Sequence, residues 1–272
     1  MESKSFDEIL IEKGLFITAI LSIFIILVIL VFIISEAVPA FQEYGFFHFL
    51  AGMVWSPGDD QYGVLPMIVG SIYVTLLSLV MAVPLSLLCA IFMEEVAPNK
   101  VRLILKPVIQ TLAGIPSVVY GFFGLTVVVP IIRESFGGTG FSIFTAALIL
   151  AVMILPTIIN TTESSIRAVP NMYFEGSLAL GATKERSIFK TVIPAAKSGI
   201  MSGIILSIGR AIGETMAVVM VAGNQAIMPK SITSGVRTLT SNIVMEMAYA
   251  EGLHREALIA TAVVLFVFIL II

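Results

Sequence analysis

Residues 162–194 read TESSIRAVPNMYFEGSLALGATKERSIFKTVIP and form the longest polar interval between the hydrophobic runs of this chain. The interval carries Arg167, Lys184, Arg186 and Lys190, although only 12% of the 272 residues are charged and 58% are hydrophobic. Because charged side chains are costly to place in hydrocarbon, the interval predicts a segment outside the lipid. The apolar runs around it predict membrane-spanning helices, so the predicted fold class is an all-α polytopic membrane protein.

Within the interval, the residue types predict two short helices joined by a turn. Asn171 is suited to cap a first helix over residues 172–180, and Gly181 then supplies the left-handed conformation that commonly ends a helix. Thr183 is suited to cap a second helix, which Pro194 stops or separates from the next one. We predict a helix–turn–helix at the membrane surface that serves as a docking platform.

Six apolar runs predict six membrane spans. The first is too long for the apolar region of a signal peptide and lacks a good cleavage site, so we expect it to be retained. The last is marginal in length and has no polar flank, from which we expect a short tail beyond it. The predicted spans are Leu15–Ile34, Met67–Met93, Val108–Ile132, Phe141–Ile159, Gly199–Val221 and Ala257–Ile272.

The positions of Lys and Arg predict the orientation of these spans. Segments assigned to the cytoplasm hold ten of them and outer segments hold four, which places both chain ends in the cytoplasm. We divide the chain into residues 1–66, an N-terminal span with an extracytoplasmic loop, and residues 67–272, a transmembrane domain. The second part includes the cytoplasmic loop 162–194.

The chain has no recognisable active site of its own. Gly176 and Gly181 have the first spacing of a phosphate-binding loop, but Ala182 and Thr183 follow Gly181, where that loop needs Lys and then Ser or Thr, so the phosphate-binding Lys is missing. Metal-ligand spacing and a nucleophile–base pair are also absent from the sequence. We therefore predict a transport subunit that is not an enzyme and holds no cofactor, metal or nucleic acid, with ATP and Mg bound by a separate ATPase subunit.

The fifth run contains two charges, Arg210 and Glu214. Their separation of four residues predicts that they share one helix face, about 6 Å apart along the axis, and Ser207 continues this stripe. One interpretation is an internal ion pair that fixes helix packing. The other is an anion pathway, in which the guanidinium binds oxyanions and Glu214 neutralises it when the pathway is empty.

Two further polar residues lie within apolar runs. Ser117 follows Pro116, where the third span either kinks or breaks to expose backbone amides to an anion. Asn160, near the inner end of the fourth span, is suited either to capping or to contact with a ligand. We place both in the candidate substrate pathway.

The polar interval resembles the EAA loop of permease subunits of ATP-binding-cassette (ABC) importers. Glu175, Gly181 and Pro194 have the spacing of that loop, whereas Gly176 and Ser177 replace its two alanines. The resemblance implies that the interval receives an ATPase subunit. The residues that this implies for coupling are Glu175, Gly181, Ala182, Thr183 and Pro194.

Three further stretches resemble the permeases of phosphate importers, and the last resembles the PstC type more than its PstA sibling. The resemblance implies the type I ABC importer permease fold in a prokaryotic cell membrane. It also implies a PstA-like second permease, two copies of a PstB-like ATPase and a PstS-like phosphate-binding protein. The stretches are WSP at 55–57 with YGVLP at 62–66, LAGIPSVVYGFF at 112–123 and GRAIGETMAV at 209–218.

Two alternatives to a phosphate permease stay open at this stage. A permease for another oxyanion, such as sulfate or molybdate, uses the same charge chemistry. A secondary transporter or channel works without an ATPase and often has inverted internal repeats, which this sequence does not show.

Overall fold

The computed structural model describes residues 6–271, which are mostly helical and span the membrane several times. The predicted all-α polytopic class is confirmed. The helices are α1 (Phe6–Tyr44), α2 (Phe46–Ala51), α3 (Leu65–Ile91), α4 (Asn99–Gly114), α5 (Ser117–Phe123), α6 (Val129–Phe136), α7 (Ile143–Arg167), α8 (Asn171–Ala179), α9 (Lys184–Ser187), α10 (Ile193–Ala195), α11 (Lys197–Gly213), α12 (Met216–Val221), α13 (Leu239–Glu246) and α14 (Gly252–Ile271).

Short irregular elements interrupt or connect these helices. Strands β1 (Trp55–Ser56) and β2 (Gln61–Tyr62) form an antiparallel hairpin around a 3₁₀ turn at Pro57–Asp59. Single π-helical turns follow α3, separate α5 from α6 and separate α9 from α10. They cover Phe92–Val96, Gly124–Val128 and Ile188–Val192.

The helices long and apolar enough to cross a membrane agree with most of the predicted spans. Five qualify within residues 6–271, and a sixth is obtained when the segment Lys184–Ala195 and α11, bent by 65°, count as one span. The five are Ile11–Tyr44, Leu65–Val96, Ser117–Phe136, Ile143–Arg167 and Gly252–Ile271.

The third predicted span, Val108–Ile132, is wrong in its boundaries. Helix α4 ends at Gly114, Ile115 and Pro116 are extended, and a new helix begins at Ser117. Proline has no N–H to donate to the preceding turn, and it disfavours helical geometry in the residue before it. The chain therefore breaks at this position rather than kinking.

The fifth predicted span, Gly199–Val221, is also interrupted. Helix α11 ends at Gly213, and Glu214 has extended backbone angles before α12 begins. The Glu214 carboxylate accepts a hydrogen bond from the backbone N–H of Ala217, and the Glu214 carbonyl accepts one from the Thr240 hydroxyl. These bonds satisfy groups that a continuous helix would have paired internally.

Helices α3, α7 and α11 pack together at the centre of the bundle. Gly199 and Gly203 permit close approach of α11 to α7, since a Cβ at these positions would lie 2.2 Å from Ser165 Oγ and 2.0 Å from Thr161 Oγ1. Helix α1, by contrast, packs along α14, and its apolar side chains are otherwise exposed. Such a surface is suited to lipid.

A second apolar cluster joins the beginning and the end of the chain on one side of the bundle. Phe49 of α2, Trp55 and Tyr62 of the hairpin, Leu239 of α13 and Leu258 of α14 are all buried in it. We call the hairpin, α2, α13 and the segment 222–238 the outer layer.

Candidate functional site: a helix break beside an arginine, and a coupling segment

Arg210 is an exposed arginine one turn before the end of α11. Its Nη1 donates a hydrogen bond to Thr157 Oγ1 of α7 at 3.0 Å. A hydroxyl fixes the position of the guanidinium without neutralising its charge. The remaining N–H groups of the fork suit an oxyanion, which takes two parallel hydrogen bonds from such a group.

Glu214 does not pair with Arg210. Among the contacts of the described residues, its carboxylate Oε1 instead accepts from Ala217 N at 3.3 Å. The predicted arrangement of the two charges on one helix face is wrong, because the helix ends between them at Gly213. The interpretation as an internal ion pair is excluded in this structure.

The other predicted pathway residues occupy different environments. Asn160 is half-buried on α7, three residues beyond Thr157 and thus about one helical turn away. Ser117 is half-buried at the first position of α5. Ser207 is fully buried and donates to the Gly203 carbonyl at 2.9 Å, so the structure does not bring it to the exposed surface with Arg210.

The two helix breaks are held together by close packing of α5 against α12. A Cβ on Gly121 would lie 3.0 Å from Ala217 Cα and 2.7 Å from Met220 Sδ, so only glycine fits without displacement. Across the first break, the Tyr120 hydroxyl donates to the Leu112 carbonyl at 2.9 Å. That carbonyl lies in the last turn of α4, where it also accepts a long hydrogen bond from Ile115 N, at 3.4 Å.

Residues 162–194, the coupling segment, begin with the end of α7 and then contain the predicted pair of short helices, α8 and α9. Gly181 has φ of +87°, the left-handed conformation predicted for it. Thr183 caps α9 by accepting a hydrogen bond from Arg186 N at 3.3 Å, also as predicted. The buried Ser187 hydroxyl lies 3.0 Å from Ser177 Oγ and therefore ties α9 to α8.

One detail of the predicted turn is wrong. Asn171 is the first residue inside α8, whereas the capping position is Pro170, which makes no capping hydrogen bond through its side chain. Proline fixes the backbone angles that precede a helix, so the helix begins without a polar cap.

The coupling segment exposes several large apolar side chains in addition to Glu175 and Pro194, while Ala182 is half-buried. Exposed fractions are 72% for Met172 and 91% for Leu180. Several large exposed apolar side chains in one segment outside a span suit a protein interface.

A network of ion pairs, here called the inner network, lies beside the coupling segment. The Glu163 carboxylate is buried and accepts from Lys106 Nζ at 2.8 Å and from Arg167 Nη2 at 2.6 Å. Arg167 also donates two hydrogen bonds to Glu94, at 3.1 and 2.9 Å. The network joins α7, α4 and the π-helical turn after α3, and with Phe174 of α8 it borders a cavity of about 190 Å³.

Comparison with known proteins bears on this arrangement. The family model described as "Binding-protein-dependent transport system inner membrane component" matches residues 82–272. The chain belongs to this family. The matched region of this transport component contains the interrupted helices, the inner network and the coupling segment.

Individual relatives support the assignment of the chain to this family. The chain is similar to the probable ABC transporter permease protein YqgH of Bacillus subtilis, with 46% identity over 204 residues, 74% of this chain and 66% of that protein. It is also similar to the phosphate transport system permease protein PstC of Pasteurella multocida, with 37% identity over 247 residues, 84% of this chain and 77% of that one.

Solved structures show the same fold. A chain of a bacterial alginate ABC transporter, solved with an alginate-bound periplasmic protein, superposes with a TM-score of 0.63 at 17% identity. The superposition covers 99% of the permease described here and 94% of the other chain. The predicted type I ABC importer permease fold is confirmed.

A second group of polar side chains in this permease was not predicted from the sequence. We call Trp55, Arg237, Glu246 and His254 the outer cluster. Glu246, at the end of α13, is buried, and its Oε2 accepts from Trp55 Nε1 at 2.9 Å and contacts His254 Nε2 at 2.8 Å. Its Oε1 accepts from Arg237 Nη1 at 2.5 Å. Burial alone raises the pKa of Glu246, but the hydrogen bonds from Trp55, His254 and Arg237 outweigh burial and bring the pKa below its ordinary value.

Sequence reasoning missed Thr157 and the outer cluster for different reasons. Thr157 could have been found from the sequence, because it is a polar residue in the same apolar run as Asn160 and lies on a neighbouring part of the helix surface. No local sequence pattern indicates the outer cluster, since Trp55 and Glu246 are 191 residues apart.

Proposed function

We propose that this chain is a permease subunit of an ATP-driven phosphate importer and forms half of its translocation pathway. The observation that carries the proposal is the exposed guanidinium of Arg210, held by a neutral hydroxyl beside an interrupted helix. A relative that is 37% identical is named as a phosphate transport permease, which supports phosphate as the substrate.

In the proposed pathway, Arg210 replaces part of the hydration that phosphate loses on entering the protein. Phosphate carries oxygens in the geometry that the guanidinium fork matches, and charge-assisted hydrogen bonds are about twice as strong as neutral ones. Asn160 and Ser117 supply further polar contacts along the route. Glu214 sets the position of the second helix break, and Ser207 stabilises α11 behind it.

The coupling segment is proposed to receive the ATPase subunit. Its exposed apolar residues form the contact surface, Glu175 adds a charge at that surface, and Gly181, Ala182 and Thr183 form the turn that gives it shape. Pro194 is the second residue of the short α10, which precedes the bend into α11. ATP and Mg are bound by that partner, and this chain contributes no hydrolytic group.

The assembled importer is proposed to contain a second, PstA-like permease, two PstB-like ATPase copies and a PstS-like phosphate-binding protein outside the cell. The open surface around Gly209 and Gly213, where no described atom lies within 4 Å of an added Cβ, is suited to the second permease. The N-terminus lies in the cytoplasm, in accordance with the Lys and Arg distribution.

Reconstitution tests this proposal. The complex that co-purifies with a tagged copy of this chain is placed in proteoliposomes with ATP on the coupling-segment side and with the binding protein and radiolabelled phosphate on the other. We expect ATP-dependent phosphate uptake that excess sulfate or molybdate does not inhibit. Uptake of those anions instead would contradict the substrate, and uptake without ATP would indicate a secondary transporter or channel.

The orientation has its own test. Single cysteines at Asp59 and Lys184, in a Cys89→Ser background, are treated with an impermeant thiol reagent on intact cells. We expect labelling at position 59 and not at 184, and the reverse pattern would invert the topology.

A further inference from the structure

The outer cluster connects the extracytoplasmic surface to the helix break beside Arg210. Glu246 receives a hydrogen bond from the hairpin through Trp55 and one from the segment 222–238 through Arg237, and it contacts α14 through His254. The hairpin, the segment 222–238 and α14 therefore meet on one carboxylate of α13, which is only 7% exposed.

The helix that ends at Glu246 reaches the candidate pathway at its other end. Near the start of α13, the Thr240 hydroxyl donates to the Glu214 carbonyl at 3.1 Å, and Leu239 N donates to Ser71 Oγ of α3 at 3.0 Å. Helix α13 has 8 residues, a length of about 12 Å, so it acts as one rigid element. A displacement of Trp55 is thereby transmitted to the backbone at the break.

The chemistry of the cluster favours a positioning role over simple stabilisation. A buried group of charges seldom stabilises a fold more than apolar residues of the same volume would, but it tolerates few alternative arrangements. Arg237 is held in addition by the Asn224 carbonyl and by Asn242 Oδ1, both at 3.0 Å. The cluster thus fixes one relative placement of the hairpin, the segment 222–238 and α13.

The hairpin is also exposed where a partner would contact it. Met53 and Val54, directly before Trp55, are 62% and 53% exposed, and Asp59 and Asp60 are exposed at the turn. A protein that docks on this surface acts on Trp55 through the adjoining backbone.

We propose that Glu246 is a positioning residue that transmits docking of the binding protein on the hairpin to the helix break at Glu214. This inference rests on the proposed function, because it requires an importer whose ATP hydrolysis responds to its binding protein. The signal passes from Trp55 to Glu246, along α13 to Thr240, and from there to the Glu214 carbonyl, one turn from Arg210.

The test uses the whole importer in lipid nanodiscs, with ATP hydrolysis measured with and without phosphate-loaded binding protein. In Glu246→Gln, we expect the stimulation by binding protein to fall by about tenfold, within the usual range of coupling between sites. Basal hydrolysis and the yield of assembled complex stay near wild type, because glutamine keeps the shape and Arg237 keeps two acceptors.

Two variants complete the design. Trp55→Phe removes one hydrogen bond but keeps an aromatic ring at the position, so it lowers the stimulation by a smaller factor, about threefold. Glu251→Gln removes an exposed carboxylate that lies outside the cluster, and it leaves the stimulation unchanged. If Glu246→Gln does not assemble, Trp55→Phe decides the question.

The outcomes separate this inference from the proposed function. A wild-type complex that the binding protein does not stimulate contradicts both. A stimulated wild type together with equally stimulated Glu246→Gln contradicts the inference alone. If the stimulation per assembled complex stays normal in both Glu246→Gln and Trp55→Phe and only the yield falls, the role of the cluster is structural and the inference is also overturned.

Discussion

Arg167 and Arg210 both lie on helices of the bundle, yet their surroundings differ in one respect. Arg167 contacts two carboxylates, Glu94 and Glu163, whereas Arg210 has a single hydroxyl partner among residues 6–271. Opposite charges nearby make an arginine part of a scaffold, because the charge is already compensated. An uncompensated arginine in a membrane protein is costly, so we expect Arg210 to serve in binding rather than in the scaffold.

The largest effect is expected from Arg210→Gln. Uptake of phosphate by the reconstituted complex should fall by at least about a hundredfold, since two or more charge-assisted hydrogen bonds of about 1.5–3 kcal/mol each are lost. Assembly should stay normal because only one neutral partner is affected. The measurement is uptake of radiolabelled phosphate per assembled complex. Normal uptake would show that Arg210, like Arg167, has a structural role.

The same variant has an informative counterpart. An exchange of the two residues, Arg210→Glu with Glu214→Arg, should not restore uptake, because the two side chains do not pair in the structure. Restoration by the exchange would show that an ion pair forms at another stage of transport.

The opposite pattern is expected of Glu163→Gln. Loss of this carboxylate leaves Lys106 and Arg167 without a shared partner, and we expect about 1–3 kcal/mol of lost stability, since both cations are partly exposed. Thermal unfolding in detergent and complex yield measure the loss. Uptake per assembled complex should change little, and a selective loss of uptake would contradict the distinction between the two arginines.

Gly181→Val extends the comparison to the coupling segment. At φ of +87°, an L-residue costs about 1–2 kcal/mol and a β-branched one more. We expect co-purification of the ATPase to fall severalfold while membrane insertion persists. Gly181→Asn is the matched control, because asparagine tolerates this conformation better, and an equal loss in both variants would argue against backbone strain.

Thr157→Val tests how the position of Arg210 is maintained. The variant removes the only hydrogen bond that the structure gives to the Arg210 side chain, so the guanidinium becomes mobile. A rise of about threefold in the KM for phosphate is expected, with Thr157→Ser near wild type. An unchanged KM would mean that the bound anion alone orients the arginine.

A smaller effect concerns pH at the outer cluster. Because the pKa of Glu246 is lowered, its contribution to stability is complete above its ordinary value of 4.5 and is lost as pH falls through the lower value in the folded protein. The difference in thermal stability between wild type and Glu246→Gln should therefore shrink in acid. A difference that does not depend on pH would contradict an ionised Glu246 in the folded protein.

Hydrophobic runs, together with glycine, proline and capping residues, predicted much of this architecture. Contacts between residues distant in sequence could not be predicted in this way. Four of the six spans and the turn at Gly181 follow from local composition and from backbone preference. The break at Glu214 could not be predicted, because a spacing of four residues suggests a continuous helix and the competing partner, Thr240, comes from another element. The placement of the pathway and coupling residues remains a prediction until transport is measured.

The three π-helical turns of residues 6–271 bear on how related chains can gain or lose single residues. A turn closed by i→i+5 hydrogen bonds holds one residue more than an α-helical turn, and the helix on either side keeps its facing. At Gly124–Val128 the wide turn lies against the bundle, where Gly124 meets Ile149 and Val221. Loss of one residue there would restore a regular helix without rotating α6, so homologous chains can differ in length inside a membrane span and still align their buried faces.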